Sequence, residues 1–119
     1  MNKHEKISYV ELPSTNIEET RKFFTQVFGW SFQEFGSEYI AFSDQGINGG
    51  FYKSDLSSLT RNGAALIVFY SESIKATQEK IEQAGGSILK PAFSFPGGFR
   101  FHFLEPGGNE FAVWSEINA

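Results

Sequence analysis

The sequence predicts an α+β fold made of two strand–helix–three-strand modules. Two observations support this prediction. A short extended run, a helical apolar stripe and three further extended runs occur in this order twice along the chain. The helix phase and the helix end also agree at one offset, because three equivalent pairs are each 57 residues apart: Ile17 and Ile74, Phe24 and Ile81, and Gly29 and Gly86. Each module alone has one bare sheet face, and pairing the modules buries it.

The first module is expected to begin with a strand at Ile7–Leu12 and to continue with a helix from about Ile17 to Phe28. Asn16 and Glu19 stand three residues apart before the helical stripe and resemble a capping box, with Asn in place of Ser or Thr. Gly29 follows the last turn and suits the left-handed position that ends many helices. The helix is therefore bounded at both ends by local signals.

Three aromatic runs separated by turn residues follow this helix and predict a meander of strands at Trp30–Phe35, Glu38–Ser43 and Gly49–Lys53. The next segment, Ser54–Gly63, is polar and Ser-rich and has no sustained period. We interpret it as the connector between the modules.

The second module repeats the order of the first. A short apolar run at Ala64–Tyr70 predicts a strand, and Ser73 precedes a helix that Gly85 and Gly86 end. Three further strands are predicted at Ser87–Lys90, Phe99–Leu104 and Glu110–Ser115, with a turn at Pro106–Asn109 between the last two. We expect a single domain over residues 1–119, with modules at 7–53 and 64–117 joined by 54–63.

The composition excludes several classes of protein. The chain has no Cys and two His, which excludes a disulfide scaffold, a Cys-rich zinc site and thiol catalysis. A net charge of −4 and scattered basic residues argue against nucleic-acid or anionic-membrane partners. The polar N-terminus lacks the apolar stretch of a signal peptide, and no apolar run approaches a membrane span. We expect a soluble cytoplasmic protein.

Two segments resemble the vicinal oxygen chelate superfamily, which comprises glyoxalases, bleomycin-resistance proteins and extradiol dioxygenases. They are YVELPSTNIEETRKFFTQVFGWSF at Tyr9–Phe32 and FLEPGGNEFAVWSE at Phe103–Glu116. The similarity extends over most of the chain, from Ile7 to Ile117. It implies paired βαβββ modules whose eight strands form an open cup, with the helices outside and the ligand site inside. Members of the superfamily are commonly homodimers.

The resemblance also implies where metal ligands would lie. Enzymes of this group hold one divalent metal through four side chains, one on the first and one on the last strand of each module. Counting along the chain places these positions at Tyr9, Ala41, Leu66 and Ala112, and a slip of two residues on the first strand would bring Glu11 instead. Two Ala and a Leu supply none of the required donors. We therefore expect a member that lacks the usual metal ligands, with no metal and no cofactor.

Alternation along the strands divides their residues between two faces. One face is apolar and is expected to lie under the helices: Val10, Leu12, Ile40, Phe42, Ile67, Phe69, Phe111 and Val113. The other face is expected to line the cup and contains the candidate ligand-binding residues: Tyr9, Glu11, Tyr39, Leu66, Tyr70, Arg100, His102, Glu110 and Trp114. Large apolar side chains with a few polar groups are typical of small-molecule pockets.

Several of these residues have two readings. His102 is a candidate general acid or base, or a hydrogen-bonded surface group. Glu11 is a candidate base, or the partner of Arg100 in an ion pair at the rim of the cup. Glu110 lines the cup or is solvated beside the turn. Trp114 stacks on a planar ligand or fills the cup itself.

The absent metal ligands beside an intact fold pattern favour a metal-free small-molecule-binding protein, similar to the antibiotic-sequestering members, whose cup is closed by dimerisation. The alternative is a lyase, isomerase or dioxygenase-type enzyme acting on a small carbonyl or enol compound. In a metal-independent form of that enzyme, Glu11 or His102 would move the proton. A structural role, in which aromatic side chains fill the cup, also remains open.

Overall fold

The computed structural model describes residues 2–119. These residues form two βαβββ modules with the following elements: β1 Tyr9–Ser14, α1 Ile17–Phe28, β2 Phe32–Glu34, β3 Tyr39–Phe42, β4 Asn48–Lys53, a short 3₁₀-helix Thr60–Asn62, β5 Ile67–Tyr70, α2 Ile74–Gln83, β6 Ser87–Phe95, β7 Gly98–Leu104 and β8 Glu110–Ser115. Within residues 2–119, neither α-helix is long and apolar enough to cross a membrane.

The strands form two open four-stranded sheets, in the orders β1-β4-β3-β2 and β5-β8-β7-β6. The first and last strands of each module pair in parallel, and all other neighbours are antiparallel. A parallel pair needs a crossover connection, which the helix of each module provides. The predicted α+β class, with two βαβββ modules forming an open cup, is confirmed.

Helix α1 begins and ends at the predicted residues. The side-chain oxygen of Asn16 accepts a hydrogen bond from the Glu19 N–H at 3.1 Å. The predicted capping box is only half formed, because the Asn16 N–H donates to the Ser14 hydroxyl at 3.1 Å and not to Glu19. Gly29 has a φ of 72°, and its N–H bonds to the Thr25 carbonyl at 3.0 Å.

Two edge strands continue past their predicted ends, and both contain a proline, whereas the other two edge strands, β2 and β5, are shorter than predicted. The first strand was expected at Ile7–Leu12 but runs over Tyr9–Ser14 and includes Pro13. The strand expected to end at Lys90 continues through Pro91 to Phe95, with irregular pairing to β7 on either side of Lys90. An edge strand tolerates proline because its missing N–H faces away from the sheet.

One aromatic core joins the two modules. The ring of Phe24 lies 5.5 Å from Phe51 in the first sheet and 5.2 Å from Phe111 in the second. The ring of Phe23 lies 5.8 Å from Phe103, also in the second sheet. Rings at these separations gain contact energy beyond simple burial. Helix α1 therefore packs on the apolar faces of both sheets.

A buried polar cluster fastens the β7–β8 turn to the end of β1. The Glu105 carboxylate accepts hydrogen bonds from the Thr20 hydroxyl at 2.8 Å and the Gly107 N–H at 2.6 Å. Asn109 donates from its side-chain nitrogen to Glu105 and to the Pro13 carbonyl. A Cβ on Gly107 would lie 2.1 Å from the Thr20 hydroxyl oxygen, so this close approach requires glycine. The E-P-G-G-N segment thus joins the two modules.

Candidate functional site

Each sheet has one face turned away from the helices, and these two faces carry the predicted cup-lining residues. We call the face on β1–β4 the first wall; its side chains include Tyr9, Glu11, Tyr39, Ala41 and Tyr52. We call the face on β5–β8 the second wall; its side chains include Val68, Tyr70, Arg100, His102, Glu110, Ala112 and Trp114.

The polar groups of the first wall bind one another. The hydroxyl of Tyr39 donates to the Glu11 carboxylate at 2.9 Å and lies 2.6 Å from the Tyr9 hydroxyl. Since the Tyr39 proton points to Glu11, Tyr9 donates to Tyr39. Burial raises the pKa of Tyr39, and its hydrogen bonds with Tyr9 and Glu11 raise it further. Glu11 is therefore an exposed carboxylate with a hydrogen bond already made.

Tyr39 also covers the backbone of the last strand of its module. A Cβ built on Gly50 would lie 2.1 Å from the Tyr39 hydroxyl oxygen. Gly50 pairs in register with Glu11 on one side and Ala41 on the other. The space that a side chain at residue 50 would need is thus occupied by the end of a tyrosine from β3.

The second wall contains a buried imidazole–carboxylate pair. His102 and Glu110 are 6% and 5% exposed, and the Nδ1 of His102 lies 2.6 Å from the Oε2 of Glu110. The other carboxylate oxygen accepts from the Thr60 N–H at 2.8 Å and the Thr60 hydroxyl at 2.9 Å. Burial acts to raise the pKa of Glu110, but the hydrogen bonds from His102 and Thr60 outweigh it and hold that pKa below its usual value.

The second ring nitrogen of His102 has no hydrogen-bond partner in the part of the chain that the structure describes. An ionised Glu110 accepts the Nδ1 proton, which leaves Nε2 as an acceptor on the neutral ring or a donor on the charged ring. Nε2 is buried and makes no hydrogen bond within residues 2–119. Buried polar atoms are rarely left unsatisfied, because the lost hydration is costly. A group supplied from outside the chain would satisfy this atom.

Arg100 lies two residues from His102 on the same strand face. Its guanidinium carbon lies 5.4 Å from the centre of the Phe93 ring and 5.6 Å from that of Phe95. The guanidinium therefore rests against aromatic rings at cation–π distance. A cavity of about 220 Å³ opens beside it. That cavity is lined by Val68, Phe95, Gly97, Arg100 and Trp114.

Trp114 forms the aromatic side of this cavity. Its ring meets Tyr70 edge-on at 5.0 Å and Phe95 edge-on at 6.2 Å, and it is half-buried. Trp114 and Phe95 are thus the two aromatic residues of the cavity lining. The arrangement contains an aromatic surface, one cation and one unsatisfied imidazole nitrogen.

A sequence profile of the Glyoxalase/Bleomycin resistance protein/Dioxygenase superfamily matches residues 6–113. The chain belongs to this superfamily. A "Glyoxylase-like domain-containing protein" from Didymella fabae is 28% identical over an alignment of 104 residues, and the match covers 76% of this chain and 77% of that protein. The prediction of the superfamily from two sequence segments is confirmed.

Solved structures of superfamily members have the same fold. A glyoxalase-related enzyme from Fulvimarina pelagi superposes with a TM-score of 0.72 at 20% identity, covering 93% of this chain and 88% of that one. A glyoxalase/bleomycin resistance protein/dioxygenase family enzyme from Burkholderia phytofirmans PsJN gives 0.75 at 18% identity, covering 91% and 96%. At these identities the likeness shows the fold alone.

The predicted site residues fall into two separate groups. Tyr9, Glu11 and Tyr39 meet on the first wall. His102 and Glu110 meet on the second wall, as Tyr70 and Trp114 do. Leu66 is half-buried and lies just before β5.

Three expectations about charged residues differ from the structure. Glu11 does not pair with Arg100 anywhere in the described chain; it accepts from Tyr39, while Arg100 lies on Phe93. His102 is not a half-exposed surface group, and Glu110 is not solvated, because both are buried against each other. The β7–β8 register brings them together across neighbouring strands.

Sequence reasoning missed several residues at the site. Thr60 lies in the segment interpreted as a connector, and nothing in its surroundings signals a contact with Glu110. Phe93 and Phe95 follow Pro91, where the strand was expected to have ended. Their alternation with Ser94 is a strand pattern that would have located them.

The metal positions of the superfamily do not fit this chain. Ala41 lies on β3, whereas the last strand of the first module is β4, so the register places the equivalent position at Gly50. Gly50 pairs in register with Glu11, and Ala112 pairs in register with Val68. Glu11 and Val68 are again 57 residues apart, so Gly50 and Ala112 occupy equivalent positions in the two modules. The four positions are then Tyr9, Gly50, Leu66 and Ala112. They offer one phenol between them, and within residues 2–119 no three His, Asp or Glu side chains are grouped to hold an ion.

Proposed function

We propose that this superfamily member is a metal-free small-molecule-binding protein whose ligand site is on the second wall. The unsatisfied Nε2 of His102 carries the proposal, because a buried polar atom with no partner is a site at which a ligand gains a hydrogen bond. The neighbouring cavity supports it, with the Trp114 ring on one side and Arg100 on another. Concave aromatic surfaces with a few polar groups are typical of ligand sites.

The residues at the four metal-ligand positions of the superfamily support the metal-free part of the proposal. Gly50, Leu66 and Ala112 have no side-chain atom that binds a divalent ion. The first-wall carboxylate of Glu11 is engaged by Tyr39. His102 and Glu110 are engaged with each other and offer together at most one free nitrogen.

We further propose that a second copy of the chain closes the cup. Tyr9, Val68 and Tyr70 are 45%, 40% and 51% exposed on the two walls, and exposed surfaces of large apolar and aromatic side chains are typical of protein interfaces. The cavity of about 220 Å³ is also smaller than the ~300 Å³ at which ligand sites usually begin. A homodimer in which a wall of the partner covers this surface would enlarge and enclose it. We also propose a cytoplasmic location, and the net charge of −4 argues against nucleic-acid and anionic-membrane partners.

An enzyme of lyase, isomerase or dioxygenase type is the second candidate, and one observation favours proton transfer among these. Glu110 orients His102 through Nδ1 and leaves Nε2 free, which is the arrangement of an imidazole general base. Such a base could move a proton on a small carbonyl or enol compound. Replacing His102 by Gln would then abolish turnover while binding of a substrate analogue persists.

Native mass spectrometry of protein purified gently from its own cells, without chelator, tests the main proposal. We expect a dimer that retains a small organic molecule and no stoichiometric transition metal. Trp114→Ala should lose the molecule, whereas Leu56→Ala, which removes an exposed apolar side chain outside both walls, should retain it. Stoichiometric, tightly held nickel, zinc or iron would overturn the metal-free reading, and a ligand retained equally by both variants would overturn the placement of the site.

A further inference from the structure

We infer that the second wall binds a small organic anion, a carboxylate attached to a planar apolar body. This inference rests on the proposed small-molecule site and names the class of ligand. It is based on charge balance, on the arrangement of cations around Phe93, and on the shape of the cavity beside Trp114.

The charge of Arg100 has no carboxylate partner in the described part of the chain. Among residues 2–119, no carboxylate lies within 4.0 Å of the side-chain nitrogens of Arg100 or Lys90. Two acids of β8 and its end are already bound, Glu110 to His102 and Glu116 to the Tyr70 hydroxyl at 2.6 Å. A half-buried guanidinium without a counter-ion is a favourable site for an anion, since an ionic hydrogen bond is about twice as strong as a neutral one.

Three basic residues surround one aromatic ring. The centre of the Phe93 ring lies 4.9 Å from the Lys90 Nζ, 5.4 Å from the Arg100 guanidinium carbon and 6.0 Å from the His102 ring. The ring holds the two cations by cation–π contact and displaces water from their surroundings. Lower local polarity strengthens the attraction of Arg100 for an anion.

The shape of the cavity favours a flat apolar body. Val68, Phe95 and Trp114 are its apolar and aromatic lining residues, and Arg100 is its charged lining residue. A planar ring can stack on the indole of Trp114 while a carboxylate turns toward the guanidinium fork, whose geometry matches two carboxylate oxygens. Two buried nitrogens on this wall, the Nε of Arg100 and the Nε2 of His102 two residues along the strand, have no hydrogen-bond partner within residues 2–119.

The overall charge of the chain opposes this preference only weakly. A net charge of −4 is spread over the surface, and charges farther apart than about 8–10 Å are screened at physiological salt. Local contacts with Arg100 are screened much less. The local pattern therefore outweighs the composition, which by itself suggests a neutral or cationic ligand.

Fluorine NMR with three probes of one shape tests the inference. The probes are 4-fluorobenzoate, 4-fluorobenzamide and 4-fluorobenzylammonium, which carry a negative, zero and positive charge. We expect the native protein to bind the carboxylate about tenfold more tightly than the amide and to bind the ammonium most weakly. Arg100→Gln should remove the preference for the carboxylate with little effect on the amide.

Lys75→Gln is the matched control, because it removes one positive charge from an exposed position on α2. It should leave all three affinities within about twofold, since surface charges far from a site are screened. If Arg100→Gln does not fold, salt titration of the native protein replaces it: the preference for the carboxylate should shrink as ionic strength rises.

The outcomes separate this inference from the function it rests on. Equal binding of all three probes, or a preference for the ammonium, overturns the anion and leaves a small-molecule site in place. Failure of all three to bind means that the surface beside Trp114 does not hold a planar body, and the proposed function then fails with the inference. A carboxylate preference that survives Arg100→Gln overturns the role of Arg100.

Discussion

In the first wall the polar side chains lie in the open and bind one another, whereas the second wall contains a buried His102–Glu110 pair. Two buried nitrogens of the second wall, Nε2 of His102 and Nε of Arg100, have no hydrogen-bond partner within residues 2–119. Two hydrogen bonds join the Tyr9 hydroxyl to the Tyr39 hydroxyl and the Tyr39 hydroxyl to the Glu11 carboxylate. His102 and Glu110 form a buried pair, and the Nε2 of His102 makes no hydrogen bond in the described chain. Two modules with one backbone plan therefore differ in what they leave for a ligand.

The closing strands show the same contrast at equivalent positions. Gly50 has no side chain, and the end of Tyr39 occupies the space above it. Ala112 is fully buried and pairs in register with His102. In the first module an aromatic residue fills the position, while in the second a small residue lies next to a titratable one. A repeated fold thus determines where side chains are placed and not what they do.

The largest expected effect comes from removing one partner of the buried pair. Glu110→Ala leaves an imidazole and the Thr60 N–H without their acceptor, and loss of one member of a buried pair costs about 3–5 kcal/mol in free energy of unfolding. Glu11→Ala, on the open wall, should cost within about 0.5 kcal/mol. Urea denaturation of both variants measures the difference, and equal losses would remove the distinction between the walls.

A side chain at Gly50 should destabilise the first wall by displacing Tyr39. We expect Gly50→Ala to cost about 1–3 kcal/mol, as overpacking does, because its Cβ would meet the Tyr39 hydroxyl and ring. The cost should fall in the Tyr39→Ala background, which gives a coupling energy in a double-mutant cycle. Strictly additive effects would show that the tyrosine does not occupy this space.

The second wall should also respond to acid. The pKa of Glu110 is lower in the folded than in the unfolded chain, so its stabilisation is present above the usual value of 4.5 and is lost as the pH falls through the lower folded value. The free energy of unfolding should therefore fall more steeply below about pH 4.5 in the native protein than in Glu110→Gln. Thr60→Val, which removes one donor, should give an intermediate slope. Identical slopes in all three proteins would contradict the shift.

Loss of the Tyr39 hydroxyl should have a smaller effect than the substitutions at Glu110 and Gly50. Tyr39→Phe removes two hydrogen bonds on a partly exposed wall and should cost about 0.5–1 kcal/mol. Since the pKa of Tyr39 is raised, an alkaline absorbance titration should lose a late-ionising phenol in this variant. Tyr52→Phe, elsewhere on the same wall, is the control and should leave that late step in place.

Local signals predicted the helices more accurately than the edge strands. Helix α1 has a capping residue, an apolar stripe and a terminal glycine, all readable within a few residues, and its bounds match the prediction. The ends of β1 and β6 do not, because Pro13 and Pro91 read as turn residues along the chain and are tolerated only at the edge of a sheet. Edge position is a property of strand order, which a local pattern does not contain.

By itself the sequence determined the superfamily, the two βαβββ modules and the face on which each wall residue lies, because alternation and helical period are local properties of the backbone. The tertiary structure decided which of these residues meet. The β7–β8 register joined His102 to Glu110, the path of the connector brought Thr60 to the same carboxylate, and the continuation of β6 placed Phe93 against Arg100. Burial and hydrogen bonding depend on such long-range neighbours, so the difference between the walls emerged only when the chain was folded.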